Sequence, residues 1–114
     1  MTNTTQSAFT ARFDPSRYEP FEVGQVQWLR KAGDGDRPGL MAGFWIVTPE
    51  EMPPATAHEF PFDETIYVVE GAMRIEVEDG ETLELSEGDT AAFNKGAKVS
   101  WTIHRPVVEF FVYS

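Results

Sequence analysis

The side chain best placed to do chemistry is Glu64, the carboxylate that opens the run Glu64-Thr65-Ile66-Tyr67-Val68-Val69-Glu70-Gly71. In the two-residue repeat of a strand, Glu64 shares a face with Ile66 and Val68, while Thr65, Tyr67 and Val69 share the other. Both faces are largely apolar, which predicts a strand buried on both sides, with a carboxyl group at the edge of a hydrophobic enclosure. Ionised there, it needs a metal, a cation or several hydrogen-bond donors; otherwise its pKa rises and it keeps its proton. A carboxyl group so placed can serve as general acid or base, or as the anchor for a substrate amine. The competing role is structural, an ion pair with Lys95, Lys98 or Arg105.

His58 lies six residues before Glu64. Imidazole and carboxylate together suit Mn, Fe, Ni or Zn, and His104 or Glu59 could complete such a set. Two ligands hold a divalent metal weakly, so no cofactor is expected, and His58 and Glu64 stand as the metal-ligand candidates. The plainer role for His58 is a surface histidine in a proline-rich loop. Trp45, Tyr67, Phe93 and Trp101 either pack the core or form the apolar wall of a small-molecule pocket. Lys95 follows a turn, where it is solvated or meets an acidic substrate. The substrate-binding candidates are therefore Trp45, His58, Tyr67, Phe93, Lys95 and Trp101, around Glu64 as the catalytic candidate. Glu76, Glu78 and Glu84 read as a solvated sheet face without the spacing of a calcium loop. Ser, His and Asp are not spaced as a nucleophilic triad, and no glycine-rich phosphate loop is present.

The elements that must position these residues are all short. Residues 1–20 carry Pro15 and Pro20 and no repeating apolar face, and read as an arm that pairs with a sheet edge or a partner subunit. Residues 21–114 form the domain proper. Phe21 to Arg30 is rich in β-formers, and Leu40 to Thr48 is an apolar run closed by Pro49. Four prolines between Pro49 and Pro61 predict an extended, irregular approach to Glu64 without central strand pairing. Gly71 is expected to turn the chain into a hairpin, where Met73, Ile75 and Val77 alternate with Arg74, Glu76 and Glu78, Asp79-Gly80 makes the turn, and Leu83 and Leu85 return. Turns at Glu87-Gly88-Asp89 and Asn94-Lys95-Gly96 bound Thr90 to Phe93. Val99 to Ile103 and Pro106 to Tyr113 are the last strands, the latter with an apolar outer face that predicts a homodimer. Little or no helix is expected. The pattern is that of an all-β antiparallel sandwich or barrel, best matched by a jelly roll.

A chain of 114 residues is of single-domain size, and nine Phe, three Trp and three Tyr supply its core. Nineteen acidic against nine basic residues give a formal charge of −10, which opposes nucleic acid and anionic membrane surfaces. No apolar run approaches a membrane span, no secretory signal pattern opens the chain, and cysteine is absent, so a cytoplasmic location is expected.

Glu64, six further residues, Gly71, a hairpin, Gly88-Asp89 and the turn Asn94-Lys95-Gly96 together resemble the two motifs of the cupin superfamily. The runs Gly43 to Pro49, Glu64 to Gly71 and Trp101 to Val107 are similar to the subfamily that includes ureidoglycine aminohydrolase-like and ethanolamine-utilisation-like domains. The resemblance spans about residues 40 to 113. It implies a double-stranded β-helix, the RmlC-like jelly-roll barrel, with a small polar metabolite bound inside. It also implies a metal held by three histidines and the glutamate. Here His58 fits the earlier histidine, but Phe60 and Val99 occupy the other two positions and Asn94 replaces a proline. The expected function is therefore a small-molecule-binding cupin, an enzyme of amine or carboxylate metabolism working without that metal site. The alternatives are a non-catalytic binding or sensing cupin, or a metalloenzyme with a degenerate His/Glu ligand set.

Overall fold

Alternating inward and outward side chains build eight strands in the computed structural model, which describes residues 6–114. They are β1 (Glu19–Pro20), β2 (Gln25–Arg30), β3 (Met41–Val47), β4 (Thr56–Glu59), β5 (Glu64–Val77), β6 (Thr82–Ser86), β7 (Thr90–Phe93) and β8 (Lys98–Tyr113). Helix is confined to two three-residue 3-10 turns, Pro15–Arg17 and Asp34–Asp36. No helix of the described residues is long and apolar enough to cross a membrane.

The long strands β5 and β8 pair antiparallel along most of their length and belong to both layers of the molecule. Glu64 to Tyr67 of β5 pair with β7, and Ala72 to Glu76 pair with β6. On β8, Val107 to Tyr113 pair with β3, whose other edge carries β2 and then β1, while Lys98 to Trp101 pair with β4. One layer therefore runs β1-β2-β3-β8-β5-β7 and the other β4-β8-β5-β6. Two antiparallel sheets sharing strands in this way form the jelly roll, with the core between them.

Gly71 does not turn the chain. β5 runs straight through it, with register shifts between Val68 and Met73 that mark a bulge. The bulge moves the inward set from Glu64, Ile66 and Val68 to Gly71, Met73 and Ile75, all of them buried. Without the extra residue, Met73 and Ile75 would face solvent. Three other expectations are corrected with it. Thr65, Tyr67 and Val69 face outward and are exposed, so the first half of β5 is buried on one face only. The proline-rich segment contains a real strand, because Thr56 to Glu59 lie clear of Pro53, Pro54 and Pro61 and find a partner in β8. Val99 to Ile103 and Pro106 to Tyr113 are one strand, and Val107, Val108, Glu109 and Phe111 are buried rather than forming an exposed apolar face. Pro106, which has no N–H, falls where the ladder to β5 is interrupted.

The arm packs on its own chain; residues 1–5 of it lie outside the described residues. Phe13 meets Phe44 edge-on at 5.2 Å, and Gln27, buried in β2, ties down the backbone. Its Nε2 donates to the Arg12 carbonyl at 2.8 Å, and its Oε1 accepts from the Asp14 N–H at 2.9 Å. Replacing Gln27 with alanine should cost about 2 kcal/mol, roughly 1 for each lost hydrogen bond. Urea unfolding measures that cost, and faster tryptic cleavage after Arg12 would show that the arm is the part released.

Candidate functional site

Between the layers lies a cavity of about 230 Å³. Phe21, Val23, Trp45, Met52, Trp101 and Phe111 give it apolar walls, and its polar side chains are Glu22, Thr56, His58, Glu64, Glu109 and Tyr113. Each element places its residue by phase. β5 turns Glu64 inward with Ile66 and Val68. β8 turns Trp101, Glu109, Phe111 and Tyr113 inward, β3 supplies Trp45, and β4 supplies His58. Trp45 is held by its indole Nε1, which donates to the Val23 carbonyl at 2.7 Å, and its ring meets Trp101 edge-on at 5.5 Å.

Two of the polar groups are buried carboxyls, Glu64 at 5% and Glu109 at 1% exposure. Burial alone pushes Glu64 up to about 8. Glu109 is raised well above the usual carboxyl range by burial first, then by the charge of Glu64. Oε2 of Glu109 is fully enclosed and has no hydrogen-bond partner among the described residues. Burial also raises the Tyr113 phenol, with Glu64, Glu109 and Glu22 adding to the effect, so at neutral pH the phenol keeps its proton. His58 is pushed the other way, lowered by burial against a smaller opposing pull from Glu22. Its ring lies edge-on to Phe60 at 4.7 Å and is neutral at pH 7, able to accept a proton. Glu22 is exposed at the rim.

Trp45, His58, Glu64 and Trp101 thus converge on one cavity; Tyr67, Phe93 and Lys95 do not line it. Tyr67 is 45% exposed on the outer face, one residue out of phase with Glu64. Phe93 is buried in the core, stacked on Phe60 at 4.5 Å. Lys95 sits at the exposed turn, where its backbone N–H donates to Asp63 Oδ1 at 2.8 Å. Nor does a cation pair with Glu64: among the described residues, no Lys or Arg lines the cavity, and Arg105 instead clamps Glu87 at 2.7 and 3.0 Å.

The residues do not fit a three-histidine metal set. Phe60 and Val99 are buried hydrocarbon, and His104 is on the outer surface beside Glu84 at 3.1 Å. Glu59 is exposed on β4. Among the described residues, no three His, Asp or Glu side chains come together as a metal-holding group.

Glu109 was not among the candidates that sequence reasoning reached. A signal was present: it falls in the same two-residue phase as Trp101, Ile103, Val107 and Phe111, a carboxyl in an otherwise apolar inward row.

The family model of the EutQ-like cupin domain matches residues 40–111. Similar solved structures include ectoine synthase from P. lautus, at TM-score 0.70 and 20% identity over 88% of this chain and 70% of that one. The EutQ protein of Clostridium difficile superposes at TM-score 0.66 and 19% identity, covering 90% of this chain and 79% of that one. An RmlC-like cupin from Shewanella frigidimarina gives 0.68 and 19%, covering 93% and 92%. At these identities the likeness shows the fold. No curated protein matches.

Proposed function

The chain belongs to the family of EutQ-like cupin domains, and we propose that its barrel binds a small metabolite whose protons are managed by Glu64 and Glu109. The observation that carries this reading is one apolar cavity faced by two buried carboxyls, one of them with an oxygen that no described residue satisfies. A buried polar atom without a partner is costly, and a guest supplying a donor removes that cost. Catalysis fits the same geometry. A carboxyl held near pH 8 keeps its proton at neutrality yet gives it up readily, the condition for a general acid or base. Neutral His58 lies at the same cavity and can take the proton in transit. Tyr113, whose Cα is in register with that of Glu64, offers a hydroxyl that donates without ionising. The chemistry supported is acid–base catalysis on a small amine or carboxylic metabolite.

The test is turnover against a panel of small amines, ureides and hydroxy acids, with Glu64→Gln and Glu109→Gln beside the parent. Each isosteric change should lower kcat/KM roughly a hundredfold, the scale of a lost general acid or base, with the fold retained by circular dichroism. Variants that turn over a panel member as fast as the parent would remove both carboxyls from the reaction.

A further inference from the structure

The cavity is unbalanced in charge type. Three carboxyl groups reach it from three parts of the chain, Glu22 ahead of β2, Glu64 on β5 and Glu109 on β8, and no lysine or arginine of the described residues lines it. Its remaining titratable groups are His58 from β4 and Tyr113 from β8. Neither supplies a positive charge: the imidazole is neutral at pH 7, and the phenol is no cation in any state. The walls are aromatic, and the negative faces of Trp and Phe rings favour a cation over an anion. Oε2 of Glu109, a residue 1% exposed, has no hydrogen-bond partner among the described residues.

We infer that the guest is a compact primary alkylammonium ion, seated between Glu64 and Glu109 against Trp45 and Trp101, with an N–H supplying the donor that Glu109 lacks. The inference rests on the barrel being the binding site and adds the class of molecule it takes. Size limits that class. At about 30 Å³ per water in the liquid, 230 Å³ holds about seven or eight waters, the volume of a guest with a similar number of non-hydrogen atoms. Charge balance adds a second signature. Burial keeps Glu64 and Glu109 protonated at neutral pH, so seating an ammonium ion between them ionises one of the two: the ammonium enters, a carboxyl releases its proton to solvent, and an ion pair remains. Binding should therefore release protons and tighten as pH rises.

Three probes of one shape separate the possibilities: 3,3-dimethylbutylammonium, 3,3-dimethyl-1-butanol and 3,3-dimethylbutanoate. Isothermal titration of the whole chain at about pH 7, in two buffers of different ionisation enthalpy, reads both affinity and protons exchanged. The ammonium should bind about tenfold or more tighter than the alcohol and release close to one proton, with the carboxylate weakest. Glu64→Gln should reduce ammonium affinity about tenfold and abolish most of the proton release. Glu109→Gln, which puts an amide where the guest's N–H would meet Oε2, should also weaken ammonium binding severalfold while leaving most of the proton release in place. An alcohol that binds as tightly as the ammonium, or a carboxylate that binds best, overturns the cation class and leaves the barrel a binding site. If none of the three binds and the metabolite panel also fails to bind, the proposed binding site falls as well.

Discussion

Stability should fall as the pH is raised from about 4.5 to about 8, on the order of 4 kcal/mol, and Glu64→Gln should flatten that slope. In the unfolded chain the Glu64 carboxyl is in water and ionises near its ordinary value of 4.5; in the fold, burial holds it to about 8. Between those limits the folded state carries more protons than the unfolded one, so each step up in pH favours unfolding. Below about 4.5 both states are protonated, and the burial of a charge costs nothing. Glu109, more deeply enclosed, extends the effect in the same direction. The acids with lowered values act elsewhere on the pH axis. Glu87, drawn down to about 2 chiefly by Arg105, contributes stability that is lost only as pH falls below its ordinary range. Self-repulsion from a formal charge of −10 also grows with pH, but it acts on parent and variant alike. The difference between their urea midpoints at about pH 5 and about pH 8 isolates the buried carboxyl. A parent whose stability is level across that range would mean that Glu64 is solvated, and the proposed function would lose its basis.

Under the proposed function, the same carboxyls set function and stability against each other in this barrel. A leucine at 109 would fill the site with hydrocarbon and spare the fold an oxygen without a partner, so the glutamate is a cost to the fold that, under the proposed function, a guest would offset. The two carboxyls, Glu64 and Glu109, stand on different strands. Only one of them was visible in sequence. Glu64 announced itself because it begins an apolar run after a proline-rich stretch. Glu109 stands in the middle of Val107-Val108-Glu109-Phe110-Phe111, where the local apolarity is so high that the phase of a single polar residue is easily passed over. The jelly roll was legible for a physical reason: short runs, glycine turns and alternation are local signals, and they suffice for β6, β7 and the turn at Asp79-Gly80. Long-range pairing is not local. Whether Tyr67 faces in or out depends on what covers each side of β5, and Lys95 could be removed from the site only by knowing that its turn is pinned to Asp63. Trp45, His58 and Trp101 lie far apart in the chain and meet because β3, β4 and β8 are neighbours in space.

Gly71→Ala should be the most damaging small substitution in the chain, costing about 4 kcal/mol or more and leaving a protein that unfolds near physiological temperature. Two effects add. The residue has φ +102, in the region where an L side chain is strained. Strain of that kind alone is worth about 1 to 3 kcal/mol. The methyl group would also overlap the Pro106 carbonyl oxygen and lie 2.7 Å from the Val107 Cα, and both neighbours are backbone of β8, which cannot rotate away. Relief requires β5 and β8 to separate at the bulge that resets the inward phase of Met73 and Ile75, so the cost spreads into the core of both layers. Gly88 provides the control. Its φ is +92, yet nothing lies within 4 Å of the methyl position, so Gly88→Ala should carry the conformational strain alone, about 1 to 2 kcal/mol. Thermal and urea unfolding of the two variants separate the contributions. Equal losses would mean that the two long strands yield at the bulge, and that the close approach of β8 to Gly71 is not what holds the layers in register.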